Sequence, residues 1–353
     1  MPRQGYLIRP ENIPERAACP VVDLHNHFSG NWENLDDVVR IMDDVGVACY
    51  CDLTANTKVT WEEGGYVVRQ GSFDGFMANC ARRFPGRFIG FTTAGFAVPP
   101  HEPLFNDASE FADLSIEILR RHVSQGAMGL KILKDLGLVW RDSQGSLVNA
   151  DDTRLSPIWD EAARLDVPVL IHQADPVGFF DPPTPDNEQY KILREYPAWS
   201  FADRARYPRH DELLARLENL ISRHRRTTFL VAHGANCPED LARLARMLDD
   251  NSNIFVDFSA RLDELGRQPY SAREFMIRYA GRIYFGTDMP SSRELYRFHF
   301  RFFETFDEWF APPRPDGSFR DPRWLIHGIG LPPEVLDQLY LRNAERILNK
   351  CLT

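Results

Sequence analysis

Eight short apolar runs, most of them with a polar or charged residue at or near their end, constrain the fold of this chain more than any other feature. They cover residues 19–25, 47–53, 88–93, 127–133, 167–172, 228–233, 254–258 and 283–287. Most are continuous rather than alternating, as strands buried on both faces should be. Amphipathic stretches with helical spacing lie between them, at 35–45, 75–84, 108–125, 155–165, 211–223, 238–248 and 271–279, and a final one covers 332–349. The last opens on Pro332-Pro333 with Glu334 behind, residues that suit a first helical turn. Eight strand–helix units in series predict an α/β fold, a (β/α)8 TIM barrel, with a doubly wound sheet as the alternative.

A barrel accommodates the 353 residues as a single domain over 1–353, and 43% hydrophobic residues are ample for its core. Two connections exceed what a linker needs: 175–210 after the fifth strand and 289–331 after the eighth. Both are rich in aromatic residues and arginine, which argues against disorder and for lids or pocket walls over one end of the barrel.

The net charge of −10 repels phosphate backbones, so nucleic acid is not an expected partner. No apolar run is long enough to span a bilayer, and the first 25 residues carry no apolar signal core, so a cytosolic location is expected. None of the six cysteines forms a Cys-x-x-Cys pair. That weakens a structural zinc site and leaves buried free thiols for Cys49 and Cys51. The aromatic content permits a homodimer without requiring one.

The strand ends carry the chemistry. The first run ends Asp23-Leu-His25-Asn-His27; residues two apart on a strand point the same way, so His25 and His27 project together. The fourth run holds Lys131, the fifth ends at His172, the sixth at His233, and the eighth reaches Asp288. Catalytic residues of these barrels come from the C-terminal ends of several strands, and so many metal-type or acid–base residues at those ends form one combined signal. Three neutral imidazoles and a carboxylate make a nitrogen/oxygen site for a divalent transition metal: zinc by default, manganese or iron as alternatives. Such an ion lowers the pKa of a bound water toward about 7. Asp288 can both touch the ion and take the water's proton, while His233 can stay off the metal and polarise the substrate or shuttle a proton.

Together Asp23-x-His25-x-His27, His172, His233 and Gly286-Thr-Asp288 resemble the amidohydrolase superfamily. More narrowly, they resemble its amidohydrolase-related branch, which includes aminocarboxymuconate-semialdehyde decarboxylase and several lactone or amide hydrolases. The closing Asn343-Ala-Glu-Arg346-Ile-Leu348 resembles the last helix of that branch, and the resemblance covers roughly 20–349. It implies that His25, His27, His172 and Asp288 ligate one metal, with His233 as catalytic base or polariser. In binuclear relatives a lysine at the position of Lys131 is carbamylated and bridges two ions, with His172 and His233 on the second. Alternatively Lys131 binds a substrate carboxylate or pairs with Asp288.

Hydrolysis of an amide, lactone or ester in a small organic substrate is the leading expectation. Non-oxidative decarboxylation of an unsaturated or aromatic acid is the alternative, and a non-catalytic binding barrel stands third. Arg261, beyond the seventh strand, is a candidate grip for an anionic substrate group, and Trp32 either lines the pocket or staples the first loop. Asp175 either orients His172 or starts a turn with Pro176. Arg204, Arg206 and Arg209 either grip a carboxylate or form a solvated face.

Overall fold

The structure is a computed structural model and describes residues 13–62, 65–311 and 324–352. Nine strands are named in chain order: β1 (Val21–Asn26), β2 (Val47–Asp52), β3 (Thr57–Glu62), β4 (Gly65–Gln70), β5 (Phe88–Gly90), β6 (Leu130–Ile132), β7 (Val169–Ile171), β8 (Phe229–Val231) and β9 (Ile254–Val256). Parallel pairing runs β1-β2-β5 and β6-β7-β8-β9. A parallel bridge from Thr92 to Leu130 joins these two sheets, and another from Val256 to Ile283 adds the run at 283–287. The circuit closes where the Leu24 amide donates to the Phe285 carbonyl at 3.0 Å. Seven strands and this last segment therefore make the eight staves of the TIM barrel.

Alternation along the staves splits the core in two. Val22, Leu24, Cys49, Cys51, Leu170, Leu230 and Tyr284 form one buried cluster. Val21, Val47, Leu130, Ile132, Val169, Ile171, Phe229 and Val231 belong to another, shared with the surrounding helices. A strand buried on both faces needs both sets, which is why the runs are apolar throughout. Lys131 interrupts this pattern between Leu130 and Ile132.

The helices follow local signals. Ala108–Gln125 starts at Asp107, whose carboxylate accepts from the Ser109 and Glu110 amides, and stops at Gly126 in the left-handed region. Three elements differ from expectation. The stretch at 75–84 is a short helix at Phe73–Phe76 continued by a π-helical turn at Met77–Ala81. An antiparallel β3–β4 hairpin follows β2. The connection at 289–331 is built on a helix, Arg293–Glu304, whose Tyr296, Phe300, Phe302 and Phe303 are buried in the main core, so this part is packed core rather than a lid; residues 312–323 lie outside the described residues. The connection at 175–210 has an apolar cluster of its own, with Phe179, Phe180, Leu193 and Phe201 packed on Leu138 and Leu213. No helix among the described residues is long and apolar enough to cross a membrane.

Candidate metal centre and active site

The ends of β1 and of the eighth stave are tied together by side chains. Asp23 accepts from the Asn26 amide group, the Tyr296 hydroxyl, and both the amide and hydroxyl of Thr287. Gly286 is needed beside this tie, because a Cβ there would stand 2.5 Å from the His25 Cβ. This brings His25 and His27 against Asp288.

Hydrogen-bond partners fix which nitrogen of each ring carries its proton. His25 Nδ1 is 2.9 Å from a carboxylate oxygen of Asp257, which only accepts, so Nδ1 donates. His233 Nδ1 donates to the Ser259 carbonyl at 2.8 Å. His27 Nδ1 faces the Thr54 hydroxyl at 3.1 Å. In His25 and His233 the remaining Nε2 is a buried lone pair with no hydrogen-bond partner. All three Nε2 atoms surround Asp288: His25 Nε2 is 4.0 Å and His233 Nε2 3.7 Å from its Oδ2, and His27 Nε2 is 3.5 Å from its Oδ1. Lone pairs facing a carboxylate at these distances leave room for a cation between them, since metal–nitrogen and metal–oxygen bonds of about 2.0–2.2 Å fit such separations. His25, His233 and Asp288 each bring a ligand atom within 4.8 Å of the others. The donor set fits a divalent metal.

Burial keeps the rings of His27, His172 and His233 neutral and ready to ligate. It pushes His27 and His233 well below the ordinary histidine value, aided by the neighbouring Lys131 at His27 and by His172 and Arg261 at His233. His172 falls to about 4 for the same reason, opposed by Asp175. Asp257 is held the other way: hydrogen bonds and charge from His25, Ser259 and Tyr284 outweigh its desolvation and keep it ionised.

The other expected residues are placed as follows. The His172 ring lies 4.3 Å from that of His233, but its Nε2 donates to the Ala174 carbonyl at 2.8 Å, leaving Nδ1 as its lone-pair nitrogen. Lys131 is buried with an unpartnered Nζ and makes no ion pair with Asp288; burial lowers its pKa to about 8. Arg261 donates to the Ala260 carbonyl and, at 3.4 Å, to Asp175, and its Nε is buried without a partner. Asp175 is a hub, bonded to Lys134 at 2.5 Å and 3.6 Å from His172. The edge of Trp32 lies over Gly75 and the ring packs on the main core, so it staples the first loop to the helix at Phe73. Arg204 donates to the Phe180 and Pro208 carbonyls and Arg209 pairs with Asp211, so these two brace the loop.

Backbone strain collects here. His233, Ala235, Asn236, Ala260 and Asp288 all have positive φ without being glycine, a conformation that costs about 1–3 kcal/mol per residue and clusters at functional sites.

Sequence reasoning missed Asp257, Ser259, Tyr284 and Thr54, the residues that hold the rings. Asp257 was visible as the one polar residue inside the seventh run; the others were not. It also missed the hairpin, whose Tyr66 donates to Asp135 at 3.3 Å and lies 5.9 Å from the Lys134 ammonium, beside the mouth of the barrel.

Comparison with known proteins agrees with this geometry. The family model described as Amidohydrolase matches residues 22–350. The gamma-resorcylate decarboxylase of Rhodococcus jostii RHA1 is 23% identical over 308 residues, covering 82% of this chain and 80% of that protein. Among solved structures, 2,6-dihydroxybenzoate decarboxylase in complex with 2,6-dihydroxybenzoate superposes with a TM-score of 0.54 at 16% identity, over 94% of this chain and 99% of that one. The dihydroxybenzoic acid decarboxylase of Polaromonas sp. JS666, with manganese and 2-nitroresorcinol bound, gives 0.54 at 14% identity, over 94% and 97%. These relatives overturn the expectation of amide, lactone or ester hydrolysis: all three are decarboxylases. The residue types could not decide between the two, because one donor set serves both chemistries. The chain belongs to the amidohydrolase family, in the amidohydrolase-related branch that includes decarboxylases, and is a metal-dependent enzyme.

Proposed function

We propose that this enzyme is a non-oxidative decarboxylase of a small aromatic carboxylic acid. The observation that carries the reading is the convergence of imidazole lone pairs on Asp288, with the buried, partly unpaired guanidinium of Arg261 beside the same cluster. The activities of the Rhodococcus relative and the two dihydroxybenzoate decarboxylases support it.

His25, His27, His172 and Asp288 would hold the divalent ion. The nitrogen-rich donor set suits zinc, and the manganese in the Polaromonas structure supports that ion equally. Bound there, the cation would supply Lewis-acid polarisation of the substrate's oxygens. Arg261 grips the carboxylate and orients it out of the ring plane. His233, whose Nε2 lone pair lies 3.7 Å from Asp288, relays a proton drawn from water or the substrate's hydroxyl to Asp288, which delivers it to the ring carbon. The carbon–carbon bond breaks, its electron pair takes that proton, and CO2 leaves, so charge and atoms balance. A second assignment is favoured by the compact group of His25, His233 and Asp288: His233 ligates the ion and Asp288 alone carries the proton.

Residues 1–353 are read as one enzyme unit acting on a small molecule, which the family match over 22–350 supports, and the cytoplasm is its proposed location. The test is incubation of the metal-loaded protein with a panel of ortho-hydroxybenzoates, 2,6-dihydroxybenzoate among them, with CO2 and the matching phenol quantified. Stoichiometric CO2 and phenol are expected. No CO2 from any member, with metal in place, would sink the reading.

A further inference from the structure

The Nδ1 atoms of His25 and His233 each face a carboxylate or carbonyl oxygen as well as the Ser259 hydroxyl, whereas His27 Nδ1 faces a hydroxyl alone, a group able either to donate or to accept. Its neighbours remove the ambiguity. Thr54 is buried, and its Oγ1 lies 3.1 Å from Asp52 Oδ1, an oxygen that also accepts the amides of Thr54 at 3.0 Å and Phe28 at 3.2 Å. An oxygen taking two N–H donors is an acceptor toward the hydroxyl as well. The single hydroxyl proton of Thr54 is thus committed to Asp52, and Thr54 can only accept from His27 Nδ1. The Asn26 side-chain oxygen accepts the His27 amide at 2.9 Å, so backbone and ring are clamped from both sides.

We propose that Thr54, held by Asp52, is a positioning residue: it fixes His27 in the Nδ1–H tautomer with its Nε2 lone pair on Asp288 and the metal. The inference rests on reading His27 as a metal donor. Neither Thr54 nor Asp52 touches the reacting atoms; they act through the ring, as outer hydrogen bonds to ligand histidines do.

The experiment uses the metal-free protein labelled with 15N-histidine, together with titration by Mn2+ and Zn2+. In the unsubstituted protein the His27 nitrogen shifts should report a protonated Nδ1. Thr54→Val, which keeps the shape and removes the hydroxyl, should mix the tautomers and weaken both metals about ten-fold or more. Thr54→Ser, which restores the hydroxyl, should return affinity to within about three-fold. Wild-type affinity and an unchanged His27 tautomer in Thr54→Val would overturn the proposal. If that variant does not fold, an Nε2–H tautomer in the unsubstituted protein overturns it alone. His27→Ala separates the two levels: unaltered metal affinity in that variant means that the metal assignment of His27 has failed, whatever Thr54 does.

Discussion

Asp23 accepts two hydrogen bonds from Thr287, one from its amide at 3.0 Å and one from its hydroxyl at 2.8 Å. With the bonds from Asn26 and Tyr296, this buried carboxylate latches the first stave to the eighth and sets the distance between the His25/His27 pair and Asp288. Asp23→Ala would leave four donors without their acceptor, a loss of about 3–5 kcal/mol by analogy with broken buried polar networks. Urea unfolding should show a lower midpoint with the slope preserved, and metal content should fall. A midpoint equal to that of the unsubstituted protein would remove the latch from the account.

Gly286 makes the same closure possible from the other side. The Cβ of alanine would sit 2.5 Å from the His25 Cβ and 3.1 Å from its amide nitrogen. Neither atom is the end of a flexible chain, so the staves must part. Gly286→Ala should cost about 1–3 kcal/mol, in the range of overpacked cores, and reduce metal binding. Thermal unfolding together with elemental analysis checks both effects.

His172 and His233, whose ring centroids lie 4.3 Å apart, should separate by function. His172→Ala should lower metal content per chain, while His233→Ala should keep the metal and lose CO2 production by at least about 100-fold, the usual scale for general acid–base groups. The reverse pattern, with metal lost from His233→Ala and kept in His172→Ala, would establish the second assignment.

Removing the ion should act on stability as well as on activity. A group that binds only the folded state stabilises it by mass action, about 2.7 kcal/mol at a hundred-fold excess over Kd. Dialysis against a chelator should abolish decarboxylation and lower the unfolding temperature, and re-addition of Zn2+ or Mn2+ should restore both. His25→Ala should show no such shift on adding metal.

Away from the site, Glu161 predicts an acid limb. Hydrogen bonds from Arg164 and Arg120 pull its pKa from 4.5 to about 2. The folded value lies below the unfolded one, so the stabilisation is full above about pH 4.5 and is lost as pH falls toward 2. Because both arginines are exposed to water, Glu161→Gln should cost only about 1–2 kcal/mol at pH 7. The difference from the unsubstituted protein should shrink below pH 4; a gap that persists to pH 2 would deny the linkage.

Much of this architecture was legible in the residue order. All eight staves coincide with apolar runs, because a strand covered on both faces has no polar side to hide it. The hairpin was readable in principle from the alternation after Thr57 and the Gly64-Gly65 pair that follows it. The helix Arg293–Glu304 was readable too: Arg293, Arg297, Arg301 and Glu304 recur three or four apart and turn Leu295, Tyr296, Phe298, Phe302 and Phe303 to the core, but the expectation of a lid over 289–331 passed over that period. At the site, spacing located His25, His27, His233 and Asp288 but could not show that Thr54 holds His27 or that His172 turns Nε2 onto Ala174. Those contacts depend on rotamers and on chain segments far apart in sequence.

The left-handed backbone at His233 and Asp288 has an evolutionary reading. At φ of 60° and 52°, glycine would rest more easily than either residue. Selection for thermal endurance alone would erode both positions first, and variants gained in that way would be sturdy, inert barrels. The pair is a compromise between durability and turnover, and stabilising screens of this enzyme should spare it deliberately.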